Sequence, residues 1–332
     1  MTPELSVIIP SFNTAGYIAD AVLSIVQDVP QAEIIVVDDA STDKTLERLD
    51  RLDLPNLIVI PLLENSPGGA GYASNIGLDR ASGKYIAFVD SDDFFCVGYL
   101  ANLLRQIKSA TADICIASYT LLDTLTHVTE PGFDEVVWRK LMSSKKSKAG
   151  SLEKGEYLTL SPEPWRKIYR SRLFQNPRVR FPVNGWFNED YPFHWFTGLE
   201  ETKGICYVNI DNYFHRLRRF GQTTSGFDER IFCVFDHTDL IINFMNSASC
   251  YAGFTGYLLN WLLITMWKIR FLEVGVEEYY LRYRNLILSF DQNAVAQFKQ
   301  VALPKHWHAY RAILASNCVS ELFEFLAWEP ET

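Results

Sequence analysis

Lys84-Tyr85-Ile86-Ala87-Phe88-Val89-Asp90-Ser91-Asp92-Asp93 is an apolar run that ends in a cluster of carboxylates. The unbroken run Ile86 to Val89 predicts a strand buried on both faces, as in a parallel sheet covered by helices. Acids crowded at its C-terminal end raise one another's pKa. A divalent cation removes that cost, and Asp-x-Asp offers hard oxygen ligands to Mg2+ or Mn2+ while a substrate phosphate completes the shell. The same residues also fit a turn that caps the helix expected from Val97 to Lys108.

The preceding chain repeats the pattern. Leu5 to Pro10 and Ala32 to Asp39 read as buried strands that end in polar loops. Asn56 to Leu62 reads as a third strand, and helices are expected over Ala15 to Gln27, after the turn Ala40 to Thr45 as far as about Asp50, and up to about Ala81. Alternating strands and helices predict a right-handed parallel sheet with ligands beyond the carboxyl ends of its strands. Three polar clusters fall there: Pro10 to Asn13, Asp38-Asp39 and Asp90 to Asp93. The loop with Gly68, Gly69 and Gly71 fits neither a Walker loop nor GxGxxG after a first strand, which disfavours a dinucleotide fold. Asp38 fits a turn cap as well as a ligand contact.

Composition sets outer limits. The 332 residues are 48% hydrophobic and 21% charged, which is globular. A net charge of −9 argues against nucleic acid as a partner. None of the 6 cysteines is spaced as CxxC, so buried free thiols are expected. No basic segment followed by an apolar one opens the chain, so a cytoplasmic protein is expected, at most working at the inner face of a membrane. Phe254 to Phe271 is interrupted by Asn260, Thr265 and Lys268 and predicts a buried or interfacial helix, not a span.

Further along, Ala112 to Tyr119 reads as a strand. The stretch from about Thr124 to Gly155 is polar, and its basic run Lys145-Lys146-Ser147-Lys148 reads as a solvated mobile loop. Glu189-Asp190 is a second acidic pair that opens a helix, whose dipole favours an ionised Asp190. Beyond Asp228 the spacing is helical: Ile231, Val234, Phe235, Leu240 and Ile241, then Leu258, Leu262 and Met266.

Together these pieces resemble the family 2 glycosyltransferases of the GT-A fold. The matching stretches are Ser6 to Asn13, Ile35 to Asp43, Asn65 with Asn75-Ile76-Gly77, and Asp90 to Asp93. They continue in Pro164-Trp165-x-Lys167-Ile168-Tyr169, Glu189-Asp190-x-Pro192-Phe193-His194-Trp195 and Tyr213 to Arg218. The resemblance implies an α/β fold: a GT-A-type, mostly parallel sheet flanked by helices over residues 1–225, with a helical C-terminal region over 226–332. It implies an inverting transfer of a sugar from a UDP-sugar to an acceptor hydroxyl, in surface polysaccharide or glycoconjugate synthesis, with Mn2+ or Mg2+.

The site residues follow from the same resemblance. Pro10, Phe12, Asn13 and Asp39 hold the nucleoside, with Asn75 on the nucleotide side. Asp90 and Asp92 face the ribose and the metal-bound diphosphate, Asp92 as the metal ligand and Asp90 as a partner to ribose or metal, which leaves Asp93 as the cap. Asp190 is the base, with Glu189 either the alternative base or an anchor of its loop. His215 is a metal ligand or a structural hydrogen bonder, and Arg216 or Arg218 neutralises the leaving group. The family's Arg before Asn75 is replaced by Ser74, and Arg80 is the candidate substitute. Trp186 and Trp195 are read as an acceptor platform or as core. The aromatic C-terminal helices are read as core or as a peripheral membrane contact for a lipid-linked acceptor. The competing functions are a nucleotidyltransferase-like enzyme and a non-catalytic carbohydrate-binding protein.

Overall fold

The computed structural model describes residues 2–66, 69–183, 187–219 and 229–327. Gly68 and Trp186 lie outside these ranges. The chain divides into two compact units, Met1–Ser225 and Gly226–Thr332.

The first unit opens with β1 (Leu5–Ser11), α1 (Ile18–Asp28), β2 (Glu33–Asp38), α2 (Thr45–Asp50), β3 (Leu57–Pro61), α3 (Gly69–Arg80) and β4 (Tyr85–Phe88). Next come β5 (Phe94–Phe95), α4 (Tyr99–Ala110), β6 (Ile114–Ala117), β7 (Thr120–Asp123), β8 (Thr129–Pro131), α5 (Glu135–Lys145) and β9 (Ala149–Leu152). The unit continues with α6 (Lys154–Leu158), β10 (Lys167–Arg170), α7 (Asp190–Glu200), β11 (Ile205–Val208) and β12 (Tyr213–Leu217). An eight-stranded sheet runs β3-β2-β1-β4-β10-β6-β11-β9, and a second sheet runs β5-β12-β7-β8.

The main sheet is parallel from β3 to β4 and mixed beyond, because β10 lies antiparallel between β4 and β6. β1 sits between β2 and β4, so the chain leaves it in opposite directions and opens a crevice at its carboxyl end. The double burial expected of β1, β2 and β4 has a plain cause. The α1 stripe Ile18, Ala21, Val22 and Ile25 is among the residues that cover one face, and α3 packs on the other.

The polar stretch 124–155 holds β8, α5 and β9, and its basic run is a loop only in part: Lys145 ends α5, and residues 146–148 lead into β9. Its anchors are distant in sequence, which is why no local periodicity announces them. Trp138 is buried and donates from Nε1 to Asn209 at 2.9 Å, and Asp134 pairs with the buried Arg166 at 2.6 Å. Lys145 is not a solvated charge but bonds Glu156 at 2.8 Å.

The second unit is helical: α8 (Cys233–Ser247), α9 (Tyr251–Thr265), α10 (Val276–Leu288), α11 (Gln292–Val301), α12 (Pro304–Ala315) and α13 (Val319–Ala327). Helix α9 buries Leu258, Leu259, Leu262 and Leu263, and its Asn260 meets His306 Nδ1 at 2.9 Å. It packs so closely on α11 that a Cβ on Gly256 would lie 2.5 Å from the Phe298 backbone nitrogen. Among the described residues no helix is long and apolar enough to cross a membrane.

Candidate active site

The site grows from the end of β4. Asp93 is fully buried, and its carboxylate accepts from Tyr213 Oη at 3.0 Å, His215 Nδ1 at 2.8 Å and the Arg216 backbone N–H at 2.9 Å. Asp93 therefore does not cap a helix, as the sequence reading had it. It pins the loop after β4 to β12. Tyr213 and His215 lie on one face of β12, as alternate strand residues must. Trp165 stacks on both, with ring centroids 4.6 Å from Tyr213 and 5.1 Å from His215.

Ligand atoms of Asp90, Asp93 and His215 lie within 4.8 Å of one another. Asp92 is outside that group: its carboxylate pairs with Arg219, and its carbonyl accepts from Arg216 Nη1 at 2.6 Å. Arg216 also reaches Asp20 at 2.8 Å and lies over the Phe94 ring, while Arg218 pairs with Asp123. The arginine on the acidic loop's own carboxylate is thus Arg219, which sequence reasoning missed. The basic run Arg216-Leu217-Arg218-Arg219 was its signal.

The electrostatics follow from crowding. Burial and the carboxylates of Asp93, Asp92 and Glu189 hold Asp90 well above the usual carboxylate range, with His215 opposing. Burial works against a charge on His215, but Asp93 outweighs it and the imidazole is pushed up to about 10. Burial and Asp190 push Glu189 up to about 8. Asp90 and Glu189 feel one another, so the two acidic clusters, far apart in sequence, share one field. Glu189 fits against α3 only because Gly71 is there, since a Cβ would lie 2.7 Å from Glu189 Cγ.

Asp190 begins α7 immediately after Glu189. A buried lysine whose charge Asp190 influences was also missed: Lys167 Nζ donates to the carbonyls of Pro162 at 2.8 Å and Glu163 at 2.9 Å, and meets His194 Nδ1 at 3.2 Å. Burial and Arg166 lower Lys167 to about 7, against the pull of Glu163 and Asp190. His194 and Trp195 are buried, which answers the core reading for both.

On the nucleotide side, most expected contacts hold the loops to each other. Asn13, with φ 52°, accepts from the Thr42 N–H at 2.8 Å. Asp38 takes the Ser41 N–H at 2.9 Å, so it caps its turn. Asp39 is buried and holds the Ser66 N–H at 2.8 Å and the Ser66 hydroxyl at 2.9 Å. Asn75 spends its side chain on Phe181, donating at 2.9 Å and accepting at 3.0 Å. Pro10 is half-buried, and Phe12, 45% exposed, presents an open aromatic face. Arg80 does not replace the missing arginine at Ser74. It lies 3.8 Å from Glu33, at the opposite end of the strands.

Residues 6–151 match the family described as glycosyl transferase family 2. The match over that stretch, with the glycosyltransferase relatives and the solved structure that follow, supports a family 2 glycosyltransferase. Glycosyltransferase GlyG of Streptococcus pneumoniae is 29% identical over 236 residues, 69% of this chain and 75% of GlyG. The Staphylococcus aureus poly(ribitol-phosphate) beta-N-acetylglucosaminyltransferase TarS is 28% identical over 226 residues. That match covers 67% of this chain but only 37% of TarS. The crystal structure of TarS 1–349 with UDP-GlcNAc superimposes with a TM-score of 0.75 at 22% identity, over 98% of this chain and 90% of that one. The same fold therefore extends through the helical C-terminal region of this glycosyltransferase, where residue patterns alone carried no family resemblance.

Proposed function

We propose that this glycosyltransferase moves a sugar from a UDP-sugar to an acceptor hydroxyl of a surface glycan, with inversion at the anomeric carbon. The observation that carries the reading is the shared field of two acidic clusters, Asp90–Asp93 with His215 and Glu189–Asp190, at the carboxyl edge of the sheet. TarS, which has this fold and was crystallised with UDP-GlcNAc, supports UDP-GlcNAc as the first donor to test.

The donor set fits a divalent cation. Carboxylate oxygens beside an imidazole suit Mn2+ or Mg2+, and positive charge relieves the repulsion that raises Asp90. Asp90 and His215 would hold the ion, and Asp92 would join them if Arg219 released it. A cation there supplies charge against the leaving diphosphate.

The chain's own groups do the rest. Burial and Asp190 push Glu189 up to about 8, which favours its protonated form at neutral pH and makes Asp190, at the start of α7, the better candidate for base. Asp190 takes the proton of the acceptor hydroxyl as that oxygen bonds the anomeric carbon. The bond to the diphosphate breaks and its electron pair leaves with UDP. A single displacement inverts the centre and needs no enzyme nucleophile. Phe12 offers its exposed ring to the uracil. An acceptor carried on a lipid would bring the enzyme to the membrane surface without a spanning helix.

Release of UDP from UDP-GlcNAc, with Mn2+ and with poly(ribitol-phosphate) as acceptor, tests the reading. Transfer that disappears with EDTA and in Asp190→Asn supports it. No UDP release from UDP-GlcNAc, UDP-glucose or UDP-galactose, with that acceptor present, sinks it.

A further inference from the structure

Asp93 differs from the other acids of its cluster. Its relative exposure is 0%, and its two oxygens already hold a phenol, an imidazole and a backbone N–H. Asp90 is more open, and its hydrogen bonds among the described residues use its backbone: its N–H donates to Tyr213 Oη at 3.3 Å and its carbonyl accepts from the Asp93 N–H at 3.1 Å. A carboxylate that is sealed and occupied makes a poor ligand, whereas one with free lone pairs makes a good one.

The geometry around His215 supplies the complement. Nδ1 lies 2.8 Å from Asp93, and the ring is stacked on Trp165 at an interplanar angle of 15°. Trp165 in turn stacks on Tyr213 at 8°, and Tyr213 donates to the same Asp93 oxygen. Rotation of the imidazole is restricted from its face and from one edge. Nε2 is the nitrogen left over. A carboxylate that holds one ring nitrogen in this way fixes which nitrogen a metal meets and raises its basicity.

We propose that Asp93 is a positioning residue and not a metal ligand: it holds His215 through Nδ1 so that Nε2 is offered, beside Asp90, to a divalent cation. This rests on the cation reading above and adds a division of labour within the cluster. Asp93 works through His215, and Trp165 and Tyr213 keep both in place.

The test uses the full chain and the metal alone. Mn2+ affinity, measured at pH 7.5 by the electron paramagnetic resonance signal of free Mn2+, is expected to weaken about 10–100-fold in Asp93→Asn. Asp90→Asn is expected to lose binding altogether. In wild-type protein labelled with 15N-histidine, titration with diamagnetic Zn2+ is expected to displace the His215 Nε2 resonance while Nδ1 keeps its proton. Asp93→Asn with affinity within threefold of wild type overturns the proposal. So does a loss as complete as that of Asp90→Asn, which would make Asp93 a ligand. Zn2+ at Nδ1 of the wild type overturns it without any variant, so a misfolded Asp93→Asn does not shelter it. Wild-type protein that binds no Mn2+ sinks the cation reading itself, a result separable from an indifferent Asp93→Asn.

Discussion

His215 in the first unit and His237 in the second are both withdrawn from water, yet their surroundings push them in opposite directions. His215 is raised to about 10, and His237 is lowered to about 4. Burial favours the neutral ring in both. Around His215, Asp93 with Asp90 and Asp92 outweighs burial. His237 is 2% exposed in α8, neither ring nitrogen has a hydrogen-bond partner among the described residues, and Lys268 adds to the burial effect. The contrast separates a polar network assembled around a site from a helical core that tolerates an isolated polar ring. A buried histidine by itself marks neither; its partners decide.

The most severe way to break this comparison is Asp190→Asn. If chemistry resides in the networked unit, transfer should fall about 10^4-fold, the upper range for removing a general base, while donor binding persists. Initial rates and donor titration check both halves. His237→Phe should leave transfer unchanged; a comparable loss there would erase the distinction.

Stability offers the next test. Arg166 is fully buried, paired with Asp134 and set over the Tyr119 and Trp138 rings. Removing its partner in Asp134→Ala leaves an uncompensated charge, for an expected loss of about 3–5 kcal/mol in urea unfolding. A loss under about 1 kcal/mol would mean that the first unit tolerates isolated polar groups as the second does.

His215→Ala sharpens the contrast at the site. Mn2+-dependent transfer should drop roughly 10–100-fold, and excess Mn2+ should recover part of it. Equal activity at all Mn2+ concentrations would remove His215 from the site.

At neutral pH the smallest expected effect belongs to His237, whose contribution shows only as pH falls. Its folded pKa lies below its unfolded value, so the unfolded chain takes up the proton first as pH falls. Stability should therefore decline between about pH 6.5 and 4, by at most about 1.4 kcal/mol per pH unit, and level off below. His237→Phe should flatten this slope in melts recorded across the window. An unchanged slope would show that other groups set it.

Much of the first unit was legible in its residues. The apolar runs that stop at Pro10, at Asp38-Asp39 and at Asp90 are local patterns, and the acids at the ends of the last two are conspicuous because they are costly to crowd. Asp190 was legible for the same reason, at the start of a helix. Residues 124–155 were not, since α5 is held by Trp138 and Asp134 against Asn209 and Arg166, partners distant in the chain. The division among the arginines was equally hidden. Arg216, Arg218 and Arg219 are near neighbours on the chain, yet they reach Asp20, Asp123 and Asp92.

The sequence by itself therefore determined the order of strands and helices as far as β4, the edge of the sheet where polar loops collect, and which acids gather there. These are set by periodicity and by the cost of like charge, both local properties. Only the tertiary structure decided what each acid does. Asp93 was assigned when β12 brought Tyr213 and His215 onto it, Asp92 when Arg219 folded back, and Asn75 when Phe181 took its side chain. The physical reason is that a carboxylate's role depends on which donors occupy its oxygens, and here those donors come from distant parts of the chain.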